Sequence, residues 1–118
     1  MNIEEFRDYC LAKKHVSECF PFDEQTLVFK VADKMFAYSG LEHHPAKVNL
    51  KCDPDWAIEL REEYEEIVPG YHSSKIHWNT VIIEGTLQNS FIKQLIDHSY
   101  AMVIKGMSKK KQKELGFL

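Results

Sequence analysis

The sequence is poor in glycine, and this scarcity excludes several catalytic motifs. It contains 5 glycines in 118 residues, with no glycine-rich phosphate loop and no G-x-S-x-G pattern. Such patterns need glycine because the backbone must approach a phosphate closely or turn sharply at a nucleophile. The chain therefore carries no motif of a P-loop nucleotide hydrolase or of an α/β-hydrolase.

Cysteine is also scarce. Cys10, Cys19 and Cys52 are widely spaced and include no C-x-x-C pair. An odd count without framework spacing argues against a secreted disulfide scaffold, and we expect free thiols in a reducing cytosol. The six histidines include no pair at the i, i+4 spacing of zinc-binding helices. We therefore expect no metal and no cofactor.

Long apolar runs and a strong net charge are missing too. No stretch approaches the roughly 20 apolar residues that span a bilayer, and residues 1–6 are acidic where a signal peptide would be basic. We therefore expect a cytoplasmic location. The net charge is −3, whereas nucleic-acid-binding domains are usually basic. Any anion-binding surface must therefore be a local patch.

The sequence does have clear helix and strand patterns, and they predict a single domain over residues 1–118. Apolar residues at helical spacing predict helices over residues 3–14, 54–66 and 88–105, the second with Asp53 as N-cap. Period-two alternation predicts strands over residues 26–31, 34–38, 46–52 and 77–84, with an extended segment over 16–22. Residues 67–71 predict a loop because they contain Pro69-Gly70. This order predicts an α+β fold, an antiparallel sheet with helices on one face.

The strands on either side of Ala32-Asp33 predict a hairpin with a definite register. With a two-residue loop, Val31 faces Lys34, Phe29 faces Phe36, and Leu27 faces Tyr38. The core face then carries Leu27, Phe29, Val31, Phe36 and Tyr38. The other face carries Val28, Lys30, Met35 and Ala37.

Lysines collect on the outward side of this predicted sheet. In the strand over residues 46–52, Val48, Leu50 and Cys52 take one face, and Lys47, Asn49 and Lys51 take the other. Together with Lys30, these positions give the outward face three lysines and no acid. A domain that is acidic overall is thus predicted to be positive on its open side.

The run Asp97-His98-Ser99 has the residue types of a catalytic triad without its geometry. Residues at i, i+1 and i+2 on a helix point in different directions, so we expect Ser99 to pack against the sheet. We predict that the protein is not an enzyme.

Residues 71–80 interleave aromatic, basic and amide side chains at the start of a strand. Lys75 and His77 suit phosphate contacts, and Trp78 offers a plane for base stacking. Asn79 can read a base edge or brace the local backbone. The alternative interpretation is that Trp78 caps the core and Lys75 is solvated, and the residues alone leave both open.

Four blocks of the sequence resemble, in order, those of the MmcQ/YjbR-like family of small bacterial proteins. They are Pro21-Phe22 with residues 26–31 and 34–37, then Lys51-Cys52-Asp53-Pro54, then residues 68–72 with 75–81, and finally residues 97–103. The resemblance implies a frataxin-like (CyaY-like) fold and DNA binding through a double-wing arrangement of the sheet. The Ala32-Asp33 turn departs from the glycine expected in such a hairpin.

The resemblance and the lysines together predict a small, non-catalytic DNA-binding protein. Its expected nucleic-acid contacts are Lys30, Lys47, Lys51, Lys75, His77, Trp78 and Asn79, with the basic run over residues 109–113 adding non-specific attraction. The alternative is a protein-interaction or regulatory module of the same fold, which the negative net charge favours. A third hypothesis, by analogy with frataxin, is iron binding through Glu4, Glu5 and Asp8.

Overall fold

The computed structural model describes residues 1–70 and 73–118. Its elements are helix α1 (Ile3–Leu11), strands β1 (Val16–Cys19), β2 (Thr26–Val31), β3 (Lys34–Gly40) and β4 (Lys47–Lys51), helix α2 (Pro54–Glu63), strands β5 (Ile67–Pro69) and β6 (Trp78–Ile82), and helices α3 (Asn89–Lys105) and α4 (Lys109–Glu114). The six strands form one antiparallel sheet in the order β1-β2-β3-β4-β6-β5. The predicted α+β class is confirmed.

The first two helices begin at side-chain caps that the sequence indicates. The Asn2 side chain accepts a hydrogen bond from the Glu5 backbone N–H at 2.8 Å, and Glu5 accepts one from the Asn2 N–H. Asp53 caps α2 by accepting from the N–H of Trp56. Both helices end about three residues before their predicted ends: α1 ends at Leu11 with Ala12 as its C-cap, and α2 ends at Glu63 because Tyr64 is extended.

The core lies between the sheet and its helices. From the sheet, Phe29, Val31, Val48 and Leu50 are buried in this layer, and they meet Phe6 and Cys10 of α1, Leu60 of α2, and Ile92 and Ile96 of α3. The Phe6 and Phe29 rings pack edge to face with centroids 5.7 Å apart. Helices α1, α2 and α3 therefore cover one side of the sheet, and we call the other side the open face.

A β-bulge at Phe36 makes the predicted hairpin register wrong beyond the first pairs. Val31 faces Lys34 and Lys30 faces Met35, as the predicted register requires, but Phe29 faces Ala37 instead of Phe36, so that Phe36 is the extra residue. As a result Tyr38 lies on the open face opposite Val28, and Ala37 lies in the core.

The turn of this hairpin has both central residues at positive φ, 46° at Ala32 and 70° at Asp33. This is the sign pattern of a type I′ turn, whose twist suits a two-residue hairpin. The tight hairpin forms although neither residue is glycine.

The segment predicted as a loop over residues 67–71 contains a strand. Ile67, Val68 and Pro69 pair with Val81, Thr80 and Asn79 as β5, at the edge of the sheet. Proline is tolerated there because an edge strand needs hydrogen bonds on one side only.

No helix in the described parts of the chain is both long enough and apolar enough to cross a membrane.

A candidate nucleic-acid interface on the open face

The three lysines predicted for the outward side of the sheet do lie on the open face. Val28 faces Tyr38, and Tyr38 faces Asn49, so these three share that face. Lys30, Lys47 and Lys51 lie two positions away from Val28 or Asn49 and therefore project on the same side. All three are partly exposed. Across residues 1–70 and 73–118, none of them forms an ion pair.

The spacing of these lysines follows from the sheet geometry. Lys30 and Lys51 lie on strands two apart, so their backbones are about 10 Å apart, and Lys47 lies about 13 Å from Lys51 along β4. The open-face strand positions contain no acid in the described chain. They hold Ser17, Cys19, Thr26, Val28, Met35, Tyr38, Gly40, Asn49, Val68, Trp78, Thr80 and Ile82 beside the lysines.

Trp78 lies on the open face, but its ring is largely covered. Only 9% of the residue is exposed, and it packs with Val28 and Tyr38 in a small cluster that Cys19 and Met35 flank. The Tyr38 and Trp78 ring centroids are 5.6 Å apart. The Tyr38 hydroxyl is also 2.8 Å from the Ser73 hydroxyl, so residue 73 lies against this face. Trp78 is therefore part of this small cluster on the open face, and it is not a free stacking plane.

The placement of Asn79 beside the lysines was wrong. Asn79 faces Leu50 on the helix side of the sheet and is 1% exposed. Its Oδ1 accepts a 2.6 Å hydrogen bond from Nε of Arg61 in α2. This contact with Arg61 supports the alternative role of Asn79, which is to brace the local structure. Its Nδ2 has no hydrogen-bond partner within the described chain.

Arg61 fixes the loop that carries two other predicted contacts. Its Nη2 donates to the backbone carbonyls of Lys75 and Trp78. Lys75 and His77 are exposed, and the His77 carbonyl accepts from the N–H of Cys52 at 2.8 Å. Their backbones are thus anchored while their side chains face solvent. Tyr71 and His72, the start of the predicted aromatic and basic segment, lie outside the described residues.

The open face is concave at the end that lies farther from Trp78. A pocket of about 490 Å³, which we call the open-face pocket, is lined by Thr26, Tyr38, Gly40, Glu42, His43, Lys47, Asn49, Val68, Pro69 and Thr80. Its floor is polar: the Thr80 hydroxyl donates to Oδ1 of Asn49 at 2.6 Å. Nδ2 of Asn49 reaches the Tyr38 carbonyl only at 3.5 Å, longer than a normal hydrogen bond of this type.

One acid lines this pocket beside Lys47. Glu42 lies in the β3–β4 connection, with its carboxylate 3.5 Å from Nε2 of His43. A carboxylate so placed opposes the attraction of Lys47 for an anion. The positive character of the open face is therefore weakened at this rim.

The residues of the apparent triad make three separate structural contacts. Asp97 accepts from the Tyr9 hydroxyl and from Lys13, His98 accepts from the N–H of Asp53, and Ser99 is bound to backbone atoms of β3 and β4. The prediction that Ser99 packs against the sheet is confirmed.

Burial raises the pKa of the Cys10 and Cys52 thiols to about 12, so neither is a thiolate at neutral pH.

The acids of α1 do not form a metal cage. Glu5 is committed to the helix cap, and no group of three or more His, Cys, Asp or Glu residues in the described chain is placed to hold a metal ion. The iron hypothesis therefore has no geometric support.

The basic run over residues 109–113 lies in a short helix near the end of the chain. It forms α4, capped by Ser108, and the segment that follows is held on the helix side. The Leu115 carbonyl is 2.8 Å from Nε2 of His15, and Phe117 packs against Tyr100. The lysines of α4 are therefore not part of the open-face strands that carry Lys30, Lys47 and Lys51.

Comparison with known proteins identifies close relatives. The family model described as YjbR matches residues 11–102. Protein YjbR of Escherichia coli (strain K12) is 35% identical over 116 residues, covering 98% of both chains. Protein YyaQ of Bacillus subtilis is 42% identical over 53 residues, 45% of this chain and 44% of its own.

Solved structures show the same fold. The crystal structure of Deinococcus radiodurans protein DR2400, of the DUF419 domain family, superposes with a TM-score of 0.93 and 38% identity, covering 99% of this chain and 89% of that one. A crystal structure from Pseudomonas syringae has a TM-score of 0.76 and 28% identity, covering 87% and 99%.

Reasoning from sequence missed Arg61, Thr80 and Glu42 of this site, and it placed Asn49 on the outward face without giving it a role. Arg61 is the one basic residue in the acidic sequence of helix α2. This difference in charge from its neighbours could have marked it as a residue with a specific partner. Asn49 lies between two outward lysines, which marks it as an open-face amide. Thr80 and Glu42 gave no signal, because the pocket depends on how β5 and the β3–β4 connection flank the sheet.

Proposed function

The chain belongs to the YjbR family, and from the charge of its open face we propose that it is a small, non-catalytic DNA-binding protein. The observation that carries the proposal is the common placement of Lys30, Lys47 and Lys51 on one face, whose strand positions in residues 1–70 and 73–118 hold no acid. Three ammonium groups that form no ion pair in this part of the chain suit the phosphates of a nucleic-acid backbone.

The acids of the helices lie across the sheet from the open-face lysines, which supports this use of the open face. They include Glu59, Glu62 and Glu63 on α2 and Glu4 and Glu5 on α1. A polyanion that approaches the open-face strands therefore meets lysines there, with Glu42 as an acid at the pocket rim. Because the lysines contact phosphates rather than base edges, we expect binding with little sequence preference.

A titration with matched charge variants tests the proposal. The triple variant Lys30→Gln, Lys47→Gln, Lys51→Gln removes the open-face lysines. The control Lys109→Gln, Lys110→Gln, Lys111→Gln removes the same charge from α4. In fluorescence anisotropy with a labelled duplex, we expect the first variant to lose about tenfold in affinity per lysine at about 0.1 M salt, and the control to bind nearly as the unmodified protein does. No binding by the unmodified protein at low salt, or equal losses in both variants, would reject the proposal.

Exposed apolar residues favour a second candidate, a protein-interaction module. Phe20 and Phe22 lie in the β1–β2 connection, and Phe22 is 70% exposed. Leu41 is exposed nearby, since its N–H donates to the Gln25 carbonyl in the same connection. Exposed aromatic side chains grouped in this way are typical of protein interfaces. This candidate predicts a partner that remains bound after nuclease treatment and is lost from the variant Phe22→Ser.

A further inference from the structure

The open-face pocket can accommodate a ligand that a flat lysine surface cannot. Its volume of about 490 Å³ is within the range of small-ligand sites, about 300–1,000 Å³. Asn49 and Thr80, on its floor, are 8% and 7% exposed. A paired duplex keeps its bases inside the stack, so a base reaches such a floor only after it has left the helix.

The floor offers a donor and an acceptor side by side. The Nδ2 of Asn49 carries two N–H groups, and the hydrogen bond that it donates to the Tyr38 carbonyl is long at 3.5 Å. The Thr80 oxygen donates its hydrogen to Asn49 and keeps lone pairs that can accept. An adjacent donor and acceptor complement the edge of a nucleobase.

An apolar wall and the Lys47 ammonium group suit the base face and the phosphate of a nucleotide, whereas Glu42 at the rim opposes the phosphate. Val68, 46% exposed, and Pro69 form an apolar wall along β5, against which the face of a base can lie. Lys47 lies at the same pocket and forms no ion pair within the described chain, so its ammonium group is available to a phosphate. The charge of Lys47 and the polar floor are together complementary to the phosphate and the base edge of a nucleotide.

We propose that the open-face pocket binds one unpaired nucleotide of a DNA strand, with the base on Asn49 and Thr80 and its phosphate at Lys47. The proposal rests on the proposed function and adds to it a preference for single-stranded or locally unpaired DNA. The lysines outside the pocket, Lys30 and Lys51, contact the backbone in either form of DNA.

The test compares one labelled oligonucleotide as a single strand, as a perfect duplex and as a duplex with one unpaired base. We expect the two forms with an unpaired base to bind about tenfold more tightly than the perfect duplex. This is the gain in affinity expected when about one base packs on a protein surface. The variant Thr80→Val keeps the side-chain shape and removes the hydroxyl. It should abolish this preference and leave the affinity for perfect duplex unchanged, which also shows that the variant is folded. The control Thr86→Val, outside the pocket, should keep the preference.

The outcomes separate the two proposals. Equal affinity for all three forms, or a preference that Thr80→Val leaves intact, overturns the pocket proposal while duplex binding upholds the proposed function. No binding to any form at low salt overturns both. A deoxynucleoside monophosphate that binds in a Thr80-dependent way, without oligonucleotide binding, identifies a free nucleotide as the occupant and overturns the strand proposal.

Discussion

The Ser99 hydroxyl accepts a hydrogen bond from the backbone N–H of Lys51 at 2.9 Å, joining helix α3 to the strand that carries two of the open-face lysines. The same hydroxyl donates to the carbonyl of Phe36 at 2.5 Å. Phe36 is the bulged residue of β3. In the described chain, the pairing of β3 with β4 is limited to Ala37 with Leu50 and Tyr38 with Asn49. Ser99 thus supplies hydrogen bonds at the point where the bulge interrupts the ladder.

Ser99→Ala should therefore be strongly destabilising. It leaves the N–H of Lys51 and the carbonyl of Phe36 without this partner, at a cost of about 1–3 kcal/mol for each buried group. Urea unfolding followed by circular dichroism measures the free energy of unfolding, and Ser17→Ala, at an exposed strand position, should change it by less than about 0.5 kcal/mol. Similar values for both variants would show that the Ser99 bridge contributes nothing.

Gly70→Ala should disturb the junction between β5 and the loop before β6. A Cβ added at Gly70 would lie 2.8 Å from the Cβ of Trp78 and 3.0 Å from the Trp78 carbonyl oxygen, so the backbone must move. We expect a loss of about 1–3 kcal/mol in the free energy of unfolding and a change in Trp fluorescence. Gly85→Ala is the matched control, because its new Cβ would have no neighbour closer than 3.6 Å. Equal stability of the two variants would refute the steric argument.

His98 should make stability fall in mild acid. Its Nε2 accepts from the N–H of Asp53 at 3.0 Å, which requires the neutral ring, and burial lowers its pKa from 6.5, with the Asp53 carboxylate opposing the shift. Because the folded pKa lies below the unfolded one, this contribution is complete above about pH 6.5 and is lost as the pH falls below it.

The variant His98→Gln keeps an acceptor that does not titrate. Its free energy of unfolding, measured by urea titration at several pH values, should depend less steeply on pH below about 6.5 than that of the unmodified chain. His77→Gln, at an exposed position, should keep the original dependence. If the free energy of unfolding falls equally steeply with pH in the unmodified chain and in His98→Gln, His98 is not the source of the loss of stability in mild acid.

Glu42→Gln should strengthen DNA binding, since it removes the acid beside Lys47 in the open-face pocket. We expect a gain of about two- to fivefold in affinity, the usual size of an exposed charge interaction. Glu59→Gln changes the net charge equally but lies on exposed α2 surface across the sheet. Anisotropy titrations that show the same change for both variants would mean that only overall charge matters.

The sequence predicted the fold class and the side of the sheet on which the lysines lie, because alternation in β4 is unambiguous. It could not place the bulge, since Phe36 and Ala37 are both apolar and either residue satisfies a core position. The edge strand β5 was missed because Pro69-Gly70 has the chemistry of a turn, while its pairing with β6 is a long-range interaction. Asn79 was misplaced because a buried amide is rare, and the guanidinium that makes it tolerable comes from Arg61, 18 residues earlier.

The salt dependence of DNA affinity tests the central claim most directly. If Lys30, Lys47 and Lys51 each neutralise one phosphate, a plot of log affinity against log salt concentration has a slope of about −3, and each Lys→Gln substitution reduces its magnitude by about one, whereas Lys109→Gln leaves it unchanged. A slope near zero, or a slope that the three open-face substitutions do not alter, would contradict the proposal that this face binds DNA.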